Sequence, residues 1–425
     1  MFFLSSKTLA TPPHVPRRRG WTLWDRIGKR RVSSLDRINH VEDTVRRGAF
    51  DVDVCIVTNC MSNGGNAVST ISEFKAFRAA GLSVMIVHCS IRSSPWKAYW
   101  LFEGYSPYSA FIANSRDVRR MRCRNMIVRA PRAIMSVDFI KFAQRVEANH
   151  AIFVVNNSTW NENGREGYSW VELYRRIQNL SWPSVELCPI GPQIREEANQ
   201  ALANTGIENR LTAREWPPTF DVDLYPFDPE RRLTYPIRIG RHARDHPAKW
   251  LESREELLKA YPIDDPQITV SILGGADEAG KVLGAIPSEW SVLPFGLGSV
   301  SDYLAQLDVF VYFPSVNRHE AFGRTIVEAI LSGIPVVLPP RFRTTFGELA
   351  FYCWPDEVAA VVHRLAIDPE KCNRYVNEVR NIAIERFCNP ALLRRLDKQS
   401  LKPASMMSTE SLDWRRTVAS DEHDA

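Results

Sequence analysis

No run of apolar residues in this chain approaches the ~18 that a membrane-crossing helix requires, so no transmembrane span is expected. The opening Met1-Phe2-Phe3-Leu4 is too short for a signal-peptide core and has no basic region before it. None of the eight cysteines forms a CxxC pair, and several sit in or beside apolar runs. Reduced, buried thiols are the expected state, in a cytoplasmic rather than secreted setting. The G-x-G-x-x-G fingerprint is missing, which withdraws support for a nicotinamide dinucleotide site. Internal repeats are absent too. Charge of either sign is not in large excess: a net +5 over 425 residues suits anionic ligands or a membrane surface but does not require nucleic acid. His242 and His246 have metal-like spacing, yet Pro247 argues against a helix and no third ligand is evident, so no metal is expected.

What is there is a 44% hydrophobic, 24% charged chain, long enough for two domains with separate cores. Compact apolar runs such as Asp53–Thr58, Leu82–Val87, Ala151–Val155, Tyr235–Gly240, Ile268–Leu273 and Val309–Phe313 alternate with segments of helical periodicity. The fold class expected is α/β: two doubly wound, Rossmann-like domains facing across a cleft, with ligands at the carboxyl ends of the strands. Residues 1–50 read as a basic, aromatic extension, 51–225 as the first domain, 226–402 as the second, and 403–425 as a mobile polar tail. The proline-rich passage from Trp216 to Asp228 is the expected linker. Residues 17–31 mix arginine and lysine with Trp21 and Trp24, giving two readings: peripheral contact with an anionic membrane, or a loosely docked leader. The basic, aromatic stretch 92–135 reads either as an acceptor groove or as ordinary core and surface.

The chain is organised around Asn317–Val337. After the apolar run Val309–Phe313 comes a loop with Glu320, then a helix with Phe322, Ile326, Val327, Ile330 and Leu331 on one face. Gly333 suits a left-handed C-terminal cap, and Pro335 to Leu338 begins a new buried strand. Glu320 and Glu328 bracket the helix start, about 12 Å apart at roughly 1.5 Å per residue. Between them lie the free N–H groups of a helix N-terminus, which attract phosphate. Two solvated glutamates near a helix end would be the plain alternative. A second candidate site, Arg241 after Gly240 with Lys249 further on, offers fixed positive charge for a diphosphate, or is a basic surface loop. The Gly64-Gly65 pair between a strand and a helix permits close backbone approach to phosphate.

Taken together, Glu320, Phe322-Gly323, Glu328-Ala329 and Gly333-Ile334-Pro335-Val336-Val337 resemble the E-x7-E signature of retaining family 4 glycosyltransferases, which have the GT-B fold. The resemblance spans roughly residues 51–395. It implies a nucleotide-diphosphate sugar as donor and a glycan, lipid-linked or other molecule as acceptor, with retention of anomeric configuration. It further implies that Gly64, Gly65, Arg241 and Lys249 meet the diphosphate, with Arg241, Lys249 and Glu320 catalytic. Glu320, with the amides of Ala321, Phe322 and Gly323, would hold the donor sugar, and Glu328 the ribose. Pro294, Phe295 and Gly296 would lie near the base. The Arg241–Lys249 spacing is wider than the family's, and Trp250 stands where glycine is usual. Near the end of the Ala151–Val155 strand the family often places histidine; here Asn156-Asn157 stands, and Asn157 is the candidate for a sugar hydroxyl. No cofactor or metal is implied, and Asp221-Val222-Asp223 lies in the linker rather than in a metal site. Two rival readings are a sugar-nucleotide epimerase of the same fold and a silent relative acting as a binding subunit.

Overall fold

The computed structural model describes residues 29–31, 48–61, 64–90, 100–160, 165–206, 211–317, 320–396 and 407–419. Two six-stranded sheets carry the architecture, each wholly parallel. The first comprises β1 (Ala49–Thr58), β2 (Val84–His88), β3 (Ile112–Asn114), β4 (Arg120–Arg129), β5 (Val146–Val155) and β6 (Val185–Pro189). Its spatial order is β3-β2-β1-β4-β5-β6. The second comprises β7 (Ile237–His242), β8 (Ile268–Leu273), β9 (Trp290–Leu293), β10 (Val309–Val311), β11 (Val336–Leu338) and β12 (Phe351–Tyr352), ordered β9-β8-β7-β10-β11-β12. Both orders run out from the first strand in two directions, which opens a crevice at the carboxyl ends of β1 and β4 and again at those of β7 and β10. The α/β, doubly wound expectation therefore holds for both halves.

Parallel strands covered on both faces read as near-continuous apolar runs, and Val54–Val57, Ile152–Val155 and Val309–Val311 are buried throughout. Helix α1 (Gly65–Ala79) follows β1, and α2 (Trp170–Gln178) and α3 (Pro192–Leu202) flank β6. The organising stretch forms α4 (Arg324–Leu331). It starts after Phe322 because Gly323 is left-handed, at φ 89° and ψ 64°. Gly333 closes it with φ +69°, where a Cβ would collide with the Phe227 ring at 2.4 Å.

Two departures from the sequence reading have physical causes. Val68, expected on the buried face of α1, is 43% exposed, because Glu73 and Thr70 occupy the inward face. Part of the supposed mobile tail is α7 (Thr409–Val418). Its Trp414 packs on Phe351 and Tyr375, and its Arg415 donates to the Ala350 carbonyl at 3.2 Å. The polar average of that segment concealed a short apolar stripe. In the N-terminal extension, Lys29–Arg31 pairs antiparallel with Trp100–Phe102, while the rest of residues 17–31 lies outside the described residues.

The long α5 (Pro369–Phe387) is followed by α6 (Asn389–Leu396). Leu392 of α6 is buried in the same cluster as Val54, Ile56 and Phe77 of the first domain. The linker runs along this junction, with the Phe220 amide donating to the Phe387 carbonyl at 3.0 Å.

Candidate active site between the two sheets

Strand β7 does not stop at Gly240. It continues through Arg241 and His242, which pair with Ile272 and Leu273 of β8. Gly240 has to be glycine, since a Cβ there would lie 2.4 Å from the Ser271 carbonyl oxygen and 2.7 Å from the Tyr303 hydroxyl. The expected placement of Arg241 on an open loop is therefore corrected: it is 1% exposed. Its guanidinium lies 4.0 Å from the centroid of Trp250 and 5.0 Å from that of Tyr312, and donates to the Lys249 carbonyl. Among the described residues its Nη2 has no hydrogen-bond partner. Trp250, read in the sequence as a departure from glycine, is the platform on which that guanidinium rests.

Lys249 reaches Glu320. Its ammonium donates to Glu320 Oε2, and the Tyr312 hydroxyl donates to the same oxygen at 2.8 Å. Burial works against the Lys249 ammonium, but the Glu320 carboxylate outweighs it and its pKa lies above the ordinary lysine value. Burial likewise opposes the Glu320 carboxylate, and Lys249 reverses the sign, so Glu320 titrates below an ordinary glutamate. Tyr312 carries no signal in the sequence, where it belongs to the apolar run Val309–Phe313.

The loop bearing Glu320 is held from two sides. Glu252, three positions beyond Lys249, accepts from the Ser315 hydroxyl, the Val316 amide at 3.3 Å and Asn317 Nδ2 at 3.2 Å. Arg341 donates to the carbonyls of Pro314 at 2.7 Å and Ser315 at 2.9 Å. Neither residue stands out in the sequence, because each acts on a partner more than twenty positions away. Arg318 and His319 lie outside the described residues.

Glu328 is less open than its expected role suggests. Its Oε1 is 3.5 Å from Arg324 Nη2. Its Oε2 is 3.3 Å from His242 Nε2, without the alignment of a hydrogen bond. Burial, then Arg241, pulls the His242 pKa down to about 3, so the ring is neutral. Burial also raises the Glu328 carboxyl, and Arg324 only partly offsets it.

Three helices open where the sheets face one another, and each begins on glycine with no side-chain cap: Gly64 for α1, Gly191 for α3 and Gly323 for α4. Elsewhere Ser169, Ser253, Ser299, Asp368 and Ser408 cap their helices. A Cβ on Gly65 would sit 3.4 Å from Arg324 Cδ, and one on Gly191 3.7 Å from the Ala321 carbonyl oxygen and the Phe322 ring. The glycine turns of the first domain thus abut the head of α4. Unpaired helix N–H groups are a ready seat for anionic oxygen.

Of the remaining candidates, Asn157 is exposed beyond β5, and its carbonyl accepts from the Tyr168 hydroxyl at 2.7 Å. Its neighbour Asn156 is buried and donates to Asn66 Oδ1 at 2.6 Å. Pro294, Phe295 and Gly296 form a turn after β9, with Phe295 60% exposed. Among the described residues no group of three His, Cys, Asp or Glu side chains is placed to hold a metal ion, and no helix is long and apolar enough to cross a membrane.

No family model matches this chain, and no curated protein is similar enough in sequence to be matched. Solved structures are similar in fold. HepE of Anabaena, in complex with UDP and glucose, superposes with a TM-score of 0.58 at 15% identity, covering 82% of this chain and 99% of that one. Sucrose-phosphate synthase from Thermosynechococcus elongatus gives 0.52 at 13% identity, covering 82% and 98%. An alpha-glucosyltransferase in complex with UDP gives 0.52 at 12% identity, covering 82% and 99%. The fold of this chain is thus the GT-B arrangement of two Rossmann-like domains.

Proposed function

We propose that this protein is a glycosyltransferase that moves a sugar from a nucleotide-diphosphate donor to an acceptor, with retention of anomeric configuration. The observation that carries the reading is the meeting of three uncapped glycine N-termini beside the Lys249–Glu320 pair. A diphosphate needs backbone donors and fixed cations, and in this reading the glycine-led helix starts and Lys249 supply them. The relatives in fold that were crystallised with UDP support the same ligand class.

In this reading Lys249 and the amides of Gly65, Ala321, Phe322 and Gly323 take the charge that builds on the departing diphosphate. Arg241 acts from beneath, adding positive potential and holding the Lys249 backbone. Donor entry divides the Lys249 ammonium between phosphate and Glu320, leaving Glu320 free to orient sugar hydroxyls together with Asn157. Glu328 accepts from the ribose diol, and the Pro294–Gly296 turn borders the base. A donor phosphate oxygen takes the acceptor proton, so no side chain serves as general base. The acceptor enters from the first-domain side and is a glycan, a lipid-linked molecule or another hydroxyl compound.

Thermal-shift screening of a panel of sugar nucleotides at millimolar concentration, followed by product analysis with an anomer-sensitive NMR readout, tests this. Stabilisation by one donor class and a product of unchanged configuration are expected. Stabilisation by none would end the proposal, and interconversion of the free sugar nucleotide without acceptor would favour an epimerase.

A further inference from the structure

Arg324 is the first residue of α4, immediately after left-handed Gly323, and its side chain is 13% exposed. It does not point along its own helix toward solvent. Its Nη1 crosses to the first domain and donates to Ser69 Oγ on α1 at 3.1 Å, and to the linker carbonyl of Thr219 at 3.4 Å. Its guanidinium carbon lies 4.2 Å from the centroid of the linker residue Phe220. Its Nη2 is directed to Glu328 Oε1, one turn along α4. The Cδ methylene passes beneath Gly65, at the start of the same helix that carries Ser69.

One planar fork therefore touches three bodies at once: the helix that begins with the first-domain glycine turn, the linker, and the buried carboxylate of the second domain. Arginine is suited to this because its donors leave a rigid plane in several directions, whereas lysine offers a single charged point. The guanidinium sits over Phe220 and is bonded to Ser69, so a shift of the first domain is transmitted to the Glu328 side of the fork.

We infer that Arg324 is a positioning residue that makes the nucleotide's ribose site conditional on domain engagement: the guanidinium aims Glu328 only while α1 sits over the head of α4. The inference rests on the nucleotide-sugar reading above. It assigns to Arg324 no contact with the reacting atoms. Its role is to couple two groups that would otherwise move separately, and a coupling of this kind is measurable as non-additivity.

The test uses the full chain with UDP and GDP as probes, in wild type, Arg324→Leu, Arg324→Lys, Ser69→Ala and the Arg324→Leu/Ser69→Ala double variant. Affinity is read by calorimetry, and the distance between spin labels on the two domains by pulsed electron resonance. Wild type is expected to bind one probe and to narrow its interdomain distance distribution on binding. Arg324→Leu should bind about ten-fold more weakly, roughly the worth of one charge-assisted contact, and should keep a broad distribution with ligand present. Arg324→Lys should recover part of the affinity but not the narrowing. In the double variant the Ser69 change should cost nothing further. An Arg324→Leu variant that binds and narrows like wild type, or fully additive losses in the double variant, overturns the inference while leaving the nucleotide-sugar reading intact. Failure of wild type to bind either probe would instead strike at that reading. Circular dichroism on each variant separates these outcomes from misfolding, and if Arg324→Leu does not fold, the Arg324→Lys and Ser69→Ala pair carries the same comparison.

Discussion

The two sheets have the same strand order, yet their switch points hold charge in opposite ways. At the ends of β1 and β4, Glu73 and Arg129 are both fully buried and paired with each other. Arg129 Nε also donates to Asn66 Oδ1 at 3.2 Å, and Trp216 of the linker donates to Glu73 at 2.9 Å. Arg395 of α6 lies close to the same group, over the Trp216 ring, and donates to the Pro217 carbonyl at 2.6 Å. At the ends of β7 and β10, Lys249 and Glu320 keep 20% and 18% exposure, beside uncapped amides. A buried pair closed on the linker and the crossing helix serves assembly. A pair at the rim stays in reach of solvent. The same chemistry, a carboxylate paired with a cation, is sealed from solvent in one half and reachable by it in the other.

Breaking the first pair should have the largest effect. Arg129→Ala leaves a buried carboxylate without its counter-charge and is expected to cost about 3–5 kcal/mol in urea unfolding. Replacing both partners, Glu73→Leu with Arg129→Met, should recover most of that loss. If the single and double replacements are equally destabilising, the buried pair is not the source of the cost.

Breaking the second pair should be felt in turnover more than in folding. Lys249→Ala is expected to lower kcat by at least about ten-fold, the low end of what one charge-stabilising contact contributes, while the unfolding midpoint moves less than in Arg129→Ala. Full activity in Lys249→Ala would remove it from the leaving-group role.

Glu328 sharpens the contrast, because its burial is only partly compensated. Glu328→Gln should leave the melting temperature unchanged or raised, yet weaken UDP or GDP binding about ten-fold, or ~1.4 kcal/mol. A lowered melting temperature with unchanged binding would reverse the assignment.

The smallest expected effect lies in pH. Glu320 titrates below its ordinary 4.5, so its contribution is present above that value and is lost as pH falls through the depressed one. Lys249 titrates above its ordinary 10.5, so its contribution is complete below that value and fades as pH rises through the raised one. Stability from this pair should be flat between those ordinary values. Glu320→Gln should shrink the loss at the acid end, and an unaltered acid limb in urea titrations would show that other carboxylates dominate it.

Much of the fold could be read from residue order alone. The buried runs marked the parallel strands, and Gly333-Ile334-Pro335 marked the end of α4, because apolar burial and backbone freedom are local properties. The glycine turns were legible for the same reason: Gly64 and Gly323 both take a positive φ, at 103° and 89°. Less legible were residues whose meaning lies in a distant partner. Glu73 and Arg324 belong to no motif that the sequence singles out, and Tyr312 lies inside the apolar run Val309–Phe313. The residue order suggests a strand end at Gly240 and a loop at Arg241, whereas pairing with β8 carries the strand two residues further.

By itself the sequence determined two alternating α/β halves, their turns, and the carboxylate and glycine landmarks of the second half, since each depends on neighbours along the chain. Only the tertiary structure decided which charges are sealed and which remain open. It also decided that Arg324 spans the two domains and that three glycine-led helices meet head to head. The physical reason is that burial, pairing and alignment arise when segments far apart in sequence are packed together, and no local pattern encodes that separation.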